Sequence, residues 1–155
     1  MLARAIRLKF SRKRASGMSK VPLQPGDHTT FSKTISESDV YNFVGVTGDF
    51  NRFHIDEQYM QSTKFERRIA PGLLSVGYST AAATSLLNTL EMGAVTSGYE
   101  KIRFVRPTYI GDTLTVQYTI KEIDDDRLTA IANVRIYNQD GKLCTSAQHH
   151  LKFFE

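Results

Sequence analysis

Asp49 and His54 stand five residues apart in the stretch Thr47-Gly48-Asp49-Phe50-Asn51-Arg52-Phe53-His54, and Ile69-Ala70-Pro71-Gly72-Leu73-Leu74 follows soon after. A carboxylate and an imidazole set close together can share a water and shuttle its proton. Each can contribute roughly 10²–10⁴-fold as a general acid or base. A glycine at a helix start offers a backbone N–H to a developing oxyanion, and such stabilisation is often the greatest single source of rate in acyl chemistry. Together these are the parts needed to add water to, or remove it from, a carbon next to an acyl group. Each part alone has a blander reading. An Asp after Gly is often a turn former bonding its own backbone, a lone loop histidine is usually structural, and Gly72 alone marks only a tight turn. It is the combination that points to chemistry.

The elements that must position these residues can be read from pattern. After the turn-rich Pro22-Leu23-Gln24-Pro25-Gly26-Asp27, His28 to Thr34 reads as a strand. Ser36-Glu37-Ser38-Asp39 resembles a helix start, with an acid three residues after a Ser cap. Val40, Phe43 and Val44 continue at helical spacing until Gly45 and Gly48 break the pattern, which leaves Asp49–His54 as a loop. Asp56 is placed to cap a short helix through Tyr59, Met60 and Ser62.

Pro71 to about Leu90 is the strongest helix, with Pro71 suited to its first turn. It is apolar nearly all round, so burial is expected, and Ser75, Gly77, Ser79 and the triplet Ala81–Ala83 let a sheet approach closely. The rest is strand-like: Tyr99 to Val105, Leu114 to Ile120 and Leu128 to Ile136 with a period of two, a turn at Asn138-Gln139-Asp140-Gly141, and Leu143 to Phe154. A buried helix followed by an antiparallel run of strands indicates an α+β fold.

The 155 residues make room for one domain with one sizeable core. No apolar run approaches the roughly 20 residues of a membrane-spanning helix. The single cysteine, Cys144, excludes an intramolecular disulfide and a multi-cysteine metal site, and is expected to pack in a strand. His149 and His150 point to opposite faces of a strand over 143–154, so they cannot jointly grip a metal ion, and no metal site is expected. Walker A and dinucleotide glycine loops are absent, so nucleotide hydrolysis and hydride transfer lack support.

The net charge of +4 is concentrated at one end. Residues 1–20 carry seven basic residues and no acid, leaving 13 basic against 16 acidic residues in the remainder. A basic, acid-free, weakly amphipathic leader with serines nearby is how a mitochondrial transit peptide looks. The alternative is a disordered basic arm touching nucleic acid, against which the non-basic remainder argues. The organisation expected is a leader over 1–20, with Met18 as a second possible start, and one catalytic domain over 25–155.

The run from Phe43 through Thr47, Gly48, Asp49, Asn51 and His54 resembles the pattern of the R-specific enoyl-CoA hydratases, the MaoC-like dehydratases of the hot-dog fold. The resemblance covers about residues 25–154. It implies a curved antiparallel sheet wrapped round one long helix, with Asp49 and His54 as the catalytic pair. Gly72 would supply the oxyanion donor, Asn51 would brace the loop, and Ser79 would hydrogen-bond the active-site carboxylate. Against Ser79 stands a plain packing role on a crowded helix. Two positions depart from the family's pattern. Arg52 replaces a usual proline, which either loosens the loop or adds a cation beside the site. Pro71-Gly72 replaces a common His-Gly, which removes one backbone donor and one side chain.

The activity so implied is dehydration of (3R)-3-hydroxyacyl thioesters to trans-2-enoyl thioesters, without metal or redox cofactor. With a mitochondrial matrix address, the implied partner is acyl carrier protein in fatty-acid synthesis. The alternatives are the same chemistry on coenzyme A thioesters, a hot-dog thioesterase, and a non-catalytic acyl-binding or RNA-associated protein. Lys64, Arg67, Arg68, Lys101, Arg103 and Arg106 are candidate partners for the carrier's phosphates. A homodimer is expected, because one such unit leaves an unpaired sheet edge.

Overall fold

The computed structural model describes residues 20–154. The element order is β1 (His28–Thr34), α1 (Glu37–Thr47), α2 (Arg52–Ile55), α3 (Glu57–Gln61), α4 (Gly72–Leu87), β2 (Gly93–Phe104), β3 (Thr113–Asp124), β4 (Thr129–Tyr137) and β5 (Leu143–Phe154). The five strands make one antiparallel sheet in the order β1-β3-β4-β5-β2. Helix α4 lies across one face, touching β1, β3, β5 and β2. The architecture is α+β, as the pattern of elements implies.

Period-two alternation decides which sheet face meets the helix. Leu114, Val116, Tyr118 and Ile120 of β3 are buried, as are Ala130, Ala132, Val134 and Ile136 of β4. They pack with Leu74, Tyr78, Ala82, Ala83 and Leu86 of α4 in one core. Each fully buried Val, Leu or Ile contributes about 1.5–3 kcal/mol from removal of apolar surface from water. Ala82 and Ala83, both buried, keep helix and sheet in close contact; a larger residue at either would overpack the layer at about 1–3 kcal/mol.

The core begins earlier than residue 25. Val21 and Leu23 are buried within it, and the Val21 N–H donates to Asp125 Oδ1. Residues 1–19, where most of the basic leader lies, fall outside the described residues. Cys144 packs in β5 as expected, and burial pushes its thiol pKa up.

Three local expectations are modified. Helix α1 runs through Gly45 and stops only at Gly48, whose φ of 75° ends the helix with its N–H on the Val44 carbonyl. A glycine inside a helix costs about 1 kcal/mol, whereas a left-handed terminating residue strongly favours glycine. At the other end Ser36 and Asp39 form a reciprocal capping box. Strand β2 starts at Gly93 rather than near Tyr99, because the pairing of Gly93–Thr96 with Leu151–Phe154 supplies what its weak local pattern lacks. Helix α4 begins at Gly72 with Pro71 as the preceding cap residue and ends at Leu87, so Pro71 is not itself in the first turn.

Candidate active site

His54 does not sit in an open loop. It lies on the one-turn helix α2, which Asn51 starts by accepting the Phe53 N–H on its side-chain oxygen at 3.1 Å. The backbone continues directly into α3, capped by Asp56 through the Tyr59 N–H. Two Asx caps within six residues turn a glycine-terminated segment into a rigid platform.

The imidazole of His54 is buried, and its Nδ1 lies 2.7 Å from the Ile69 carbonyl. A carbonyl can only accept, so Nδ1 carries a proton, and in the neutral ring Nε2 is left as the acceptor. Nε2 faces Asp49 Oδ2 at 3.6 Å. The Asp49 side chain is half exposed, and its Oδ1 accepts the Asn51 N–H at 3.4 Å. Its backbone N–H reaches Thr47 Oγ1 at 3.3 Å. The structure thus brings the predicted pair together, at a separation longer than a direct hydrogen bond.

Both residues open into a cavity of about 390 Å³. Phe43 and Phe65 line it from the helical side, together with the segment Ile69–Leu73 that leads into α4. Phe104, Val105, Arg106, Pro107, Thr108 and Thr145 line it from the sheet side. The Ile69–Gly72 segment is fastened at its start by two backbone bonds: the Ile69 N–H donates to the Phe53 carbonyl at 3.0 Å, and the Ala70 N–H to the Thr108 carbonyl at 2.7 Å.

Gly72 is the first residue of α4, so its N–H has no acceptor within the helix. A Cβ on Gly72 would lie 2.9 Å from the Phe104 ring, closer than such atoms approach. The ring therefore packs directly on the helix start, and any side chain at position 72 would force it to shift. Ser75 Oγ donates to the Gly72 carbonyl at 2.7 Å and is 2.9 Å from Thr145 Oγ1, which ties the first turn of α4 to β5.

Ser79 is not at the carboxylate. Its hydroxyl donates to the Val76 carbonyl at 2.6 Å and lies 3.0 Å from the Tyr99 hydroxyl, in the core. The rise of the helix explains the difference. Ser79 is seven residues beyond Gly72, on nearly the same face but about 10 Å further along the axis, where it meets Tyr99 of β2 rather than the cavity. Tyr99 in turn stacks on His149, with ring centroids 4.3 Å apart. His149 is bonded to Thr96 and Tyr118 at 2.9 and 2.8 Å. Burial lowers its pKa to about 4. His150, half-buried on the opposite face, lies 3.6 Å from Glu100.

Arg52 is no free cation beside the site: it binds Asp56 at 2.9 Å and lies over the Tyr59 ring. Among the phosphate candidates, Arg68 is also committed, to Glu37 at 2.6 Å and Glu57 at 3.0 Å. Arg106 lines the cavity and donates to the Leu143 carbonyl at 2.7 Å. Arg67 stacks on Tyr109 at 3.9 Å. Among the described residues no cluster of three or more His, Cys, Asp or Glu is placed to hold a metal ion. Phe104, Thr108 and Thr145 are cavity residues that motif reading missed, since nothing near them in sequence marks them.

The MaoC-like domain model matches residues 20–140. An (R)-specific enoyl-CoA hydratase of Rhodospirillum rubrum is 39% identical over 98 residues, 63% of this chain and 66% of that one. The chain thus spans about two thirds of that relative's length. The (R)-specific enoyl-CoA hydratase of Aeromonas caviae is 27% identical over 135 residues, 87% of this chain and 98% of its own. Its solved structure superposes with a TM-score of 0.77 at 26% identity, covering 84% of this chain and 97% of that one. An R-hydratase from Pseudomonas aeruginosa gives a TM-score of 0.75 at 31% identity, over 83% and 81% of the two chains. The fold is the hot-dog fold, a five-stranded antiparallel sheet with one long helix against it. The chain belongs to the MaoC-like family, and these relatives are hydro-lyases.

Proposed function

We propose that this protein interconverts (3R)-3-hydroxyacyl and trans-2-enoyl thioesters by reversible loss of water, on acyl carrier protein in mitochondrial fatty-acid synthesis. The observation that carries the reaction is the fixed tautomer of His54, whose Nε2 acceptor faces Asp49 at 3.6 Å on a cavity that also reaches Gly72. A water oxygen bridging the two acceptors donates one hydrogen to each and keeps a lone pair for carbon 3 of an enoyl thioester. In hydration, the C3–O bond forms as one water proton passes to the Asp49–His54 pair. The C2–C3 double-bond electrons move into the thioester as an enolate, and the same proton then goes to C2. Dehydration is the reverse. The enolate oxygen needs a donor on the far side of the substrate, a position the Gly72 N–H suits because it has no helical acceptor.

The names of the relatives favour the second reading, the same reaction on coenzyme A thioesters. The acid-free leader in residues 1–20 supports the mitochondrial assignment and, through it, the carrier protein. Arg106 at the cavity suits an anionic carrier arm of either kind. The test is loss of enoyl absorbance with crotonyl-coenzyme A and with crotonyl-acyl carrier protein. Turnover of neither would overturn the reading, and a higher kcat/KM on the carrier protein would separate its two forms. The proposal includes a homodimer joined along β2, an edge strand beside which Val95, Phe104, Val105 and Phe154 are exposed.

A further inference from the structure

We propose that Arg68 is the positioning residue for the His54 imidazole, acting through the Ile69 carbonyl; this rests on the proposed hydratase reading. Arg68 is the hub of a set of contacts that joins α1 and α3 to the segment leading into α4. Its Nη2 binds Glu37 Oε1 at 2.6 Å, at the start of α1, and its Nη1 donates to the Tyr41 hydroxyl at 2.8 Å, one turn further on. Its Nε binds Glu57 Oε2 at 3.0 Å, at the start of α3, and its backbone N–H reaches the same oxygen at 3.3 Å. The guanidinium uses all three nitrogens on three partners, and only about 14% of the side chain is exposed.

The consequence lies in what each partner carries. Helix α1 ends at Gly48, directly before Asp49. Helix α3 follows α2, which holds His54, after the single extended residue Asp56. Arg68 itself precedes Ile69, whose carbonyl accepts a hydrogen bond from His54 Nδ1 at 2.7 Å and whose N–H donates to the Phe53 carbonyl. Arg68 therefore ties the tautomer-setting carbonyl to α1, which leads into Asp49, and to α3, which follows the helix bearing His54. Lysine cannot replace it, because an ammonium presents one point charge where the planar fork serves three acceptors. An isolated surface ion pair is worth little, but a network on a mostly buried guanidinium fixes geometry, and catalysis reads geometry steeply. A displacement of about 1 Å can cost on the order of 10²-fold in rate.

The experiment uses the full chain with Arg68→Met and Arg68→Lys, each alone and combined with His54→Ala. Arg68→Met is expected to lower kcat on crotonyl-coenzyme A by about tenfold to a hundredfold, with KM changed by less than about threefold. Arg68→Lys should fall between it and wild type. In the His54→Ala background neither substitution should lower the residual rate further, since residues acting as one unit are non-additive. An unchanged kcat, or the same fractional loss with and without His54, would overturn the assignment.

Imidazole nitrogen NMR provides a readout independent of turnover. Wild type should show His54 protonated at Nδ1 and not at Nε2, and Arg68→Met should mix the tautomers. If Arg68→Met does not fold, Arg68→Lys and Glu57→Gln read the same quantities, and a pure Nδ1–H tautomer in both would refute the proposal. Wild-type protein inactive on both crotonyl thioesters would sink the hydratase reading, while the tautomer measurement would still judge Arg68.

Discussion

At the scale of single residues, His54 and Asp49 are held by very different means, and their substitutions should differ accordingly. Asp49 is half exposed, and among the described residues its contacts beyond its own loop reach only the imidazole. Asp49→Asn should therefore lower kcat by roughly 10²–10⁴-fold with melting temperature unchanged within a degree or two. His54 is buried and satisfies the Ile69 carbonyl. His54→Ala should lose a comparable rate factor and also about 1–3 kcal/mol of stability, for the orphaned acceptor. Retention of a large share of wild-type kcat by either variant would refute the pair. Ser79→Ala is the control: with its hydroxyl spent on Val76 and Tyr99, kcat should stay within about twofold while stability falls by about 1 kcal/mol. Steady-state kinetics paired with urea unfolding separates these outcomes.

The elements impose a second set of expectations. The start of α4 and the end of β2 touch through Gly72 and Phe104, with no room for a Cβ. Gly72→Ala should push the ring into the cavity and lower kcat/KM by about tenfold or more, since small misplacements at a site are costly. Phe104→Leu in the same chain should restore part of the loss by making space; no recovery would show that Gly72 matters for backbone conformation instead.

The helix–sheet layer also holds His149, whose pKa burial lowers to about 4 from an ordinary 6.5. The unfolded chain then binds a proton that the folded chain refuses between pH 6.5 and 4. Stability should fall as pH drops through that window, by at most about 1.4 kcal/mol per pH unit, and be indifferent to this group above it. His149→Gln should flatten that part of a denaturation-against-pH curve. Asp39 acts lower on the scale: burial raises its pKa, but the Lys33 ammonium and the Ser36 cap outweigh this and hold it at about 2, so its contribution is lost between about pH 4 and 2.

For the whole molecule, the sheet ends in β1 on one side and β2 on the other. Unpaired edges are pairing templates, and exposed Val95, Phe104, Val105 and Phe154 add apolar area at the β2 side. Light scattering of residues 19–155 at micromolar concentration should give the mass of two chains; a single-chain mass with full activity would reject the dimer. A fluorescent fusion to residues 1–20 should enter mitochondria and lose that address with Arg4→Glu and Arg7→Glu. A cytosolic signal from the intact leader would reject the address and, with it, the argument for the carrier protein.

The sequence by itself determined whatever is encoded within a few residues. Ser36 with Asp39 and Asp56 with Tyr59 are local caps read from residue types, whereas Asn51, read as a brace within a loop, caps a helix not expected there. The alternation in β3 and β4 selects the buried face without any partner being known. Asp49 and His54 were legible for the same reason, since five residues of backbone suffice to bring them together. Tertiary structure decided what depends on chain segments far apart: the wall formed by Phe104 and Thr145, the Ile69 carbonyl that sets the His54 tautomer, the withdrawal of Ser79 to Tyr99, and the commitment of Arg68 to Glu37 and Glu57. Those contacts join residues from 11 positions apart, Arg68 and Glu57, to 41 apart, Phe104 and Thr145. Loop closure over such distances carries an entropy that packing of the whole helix–sheet layer must offset, so no local pattern announces them.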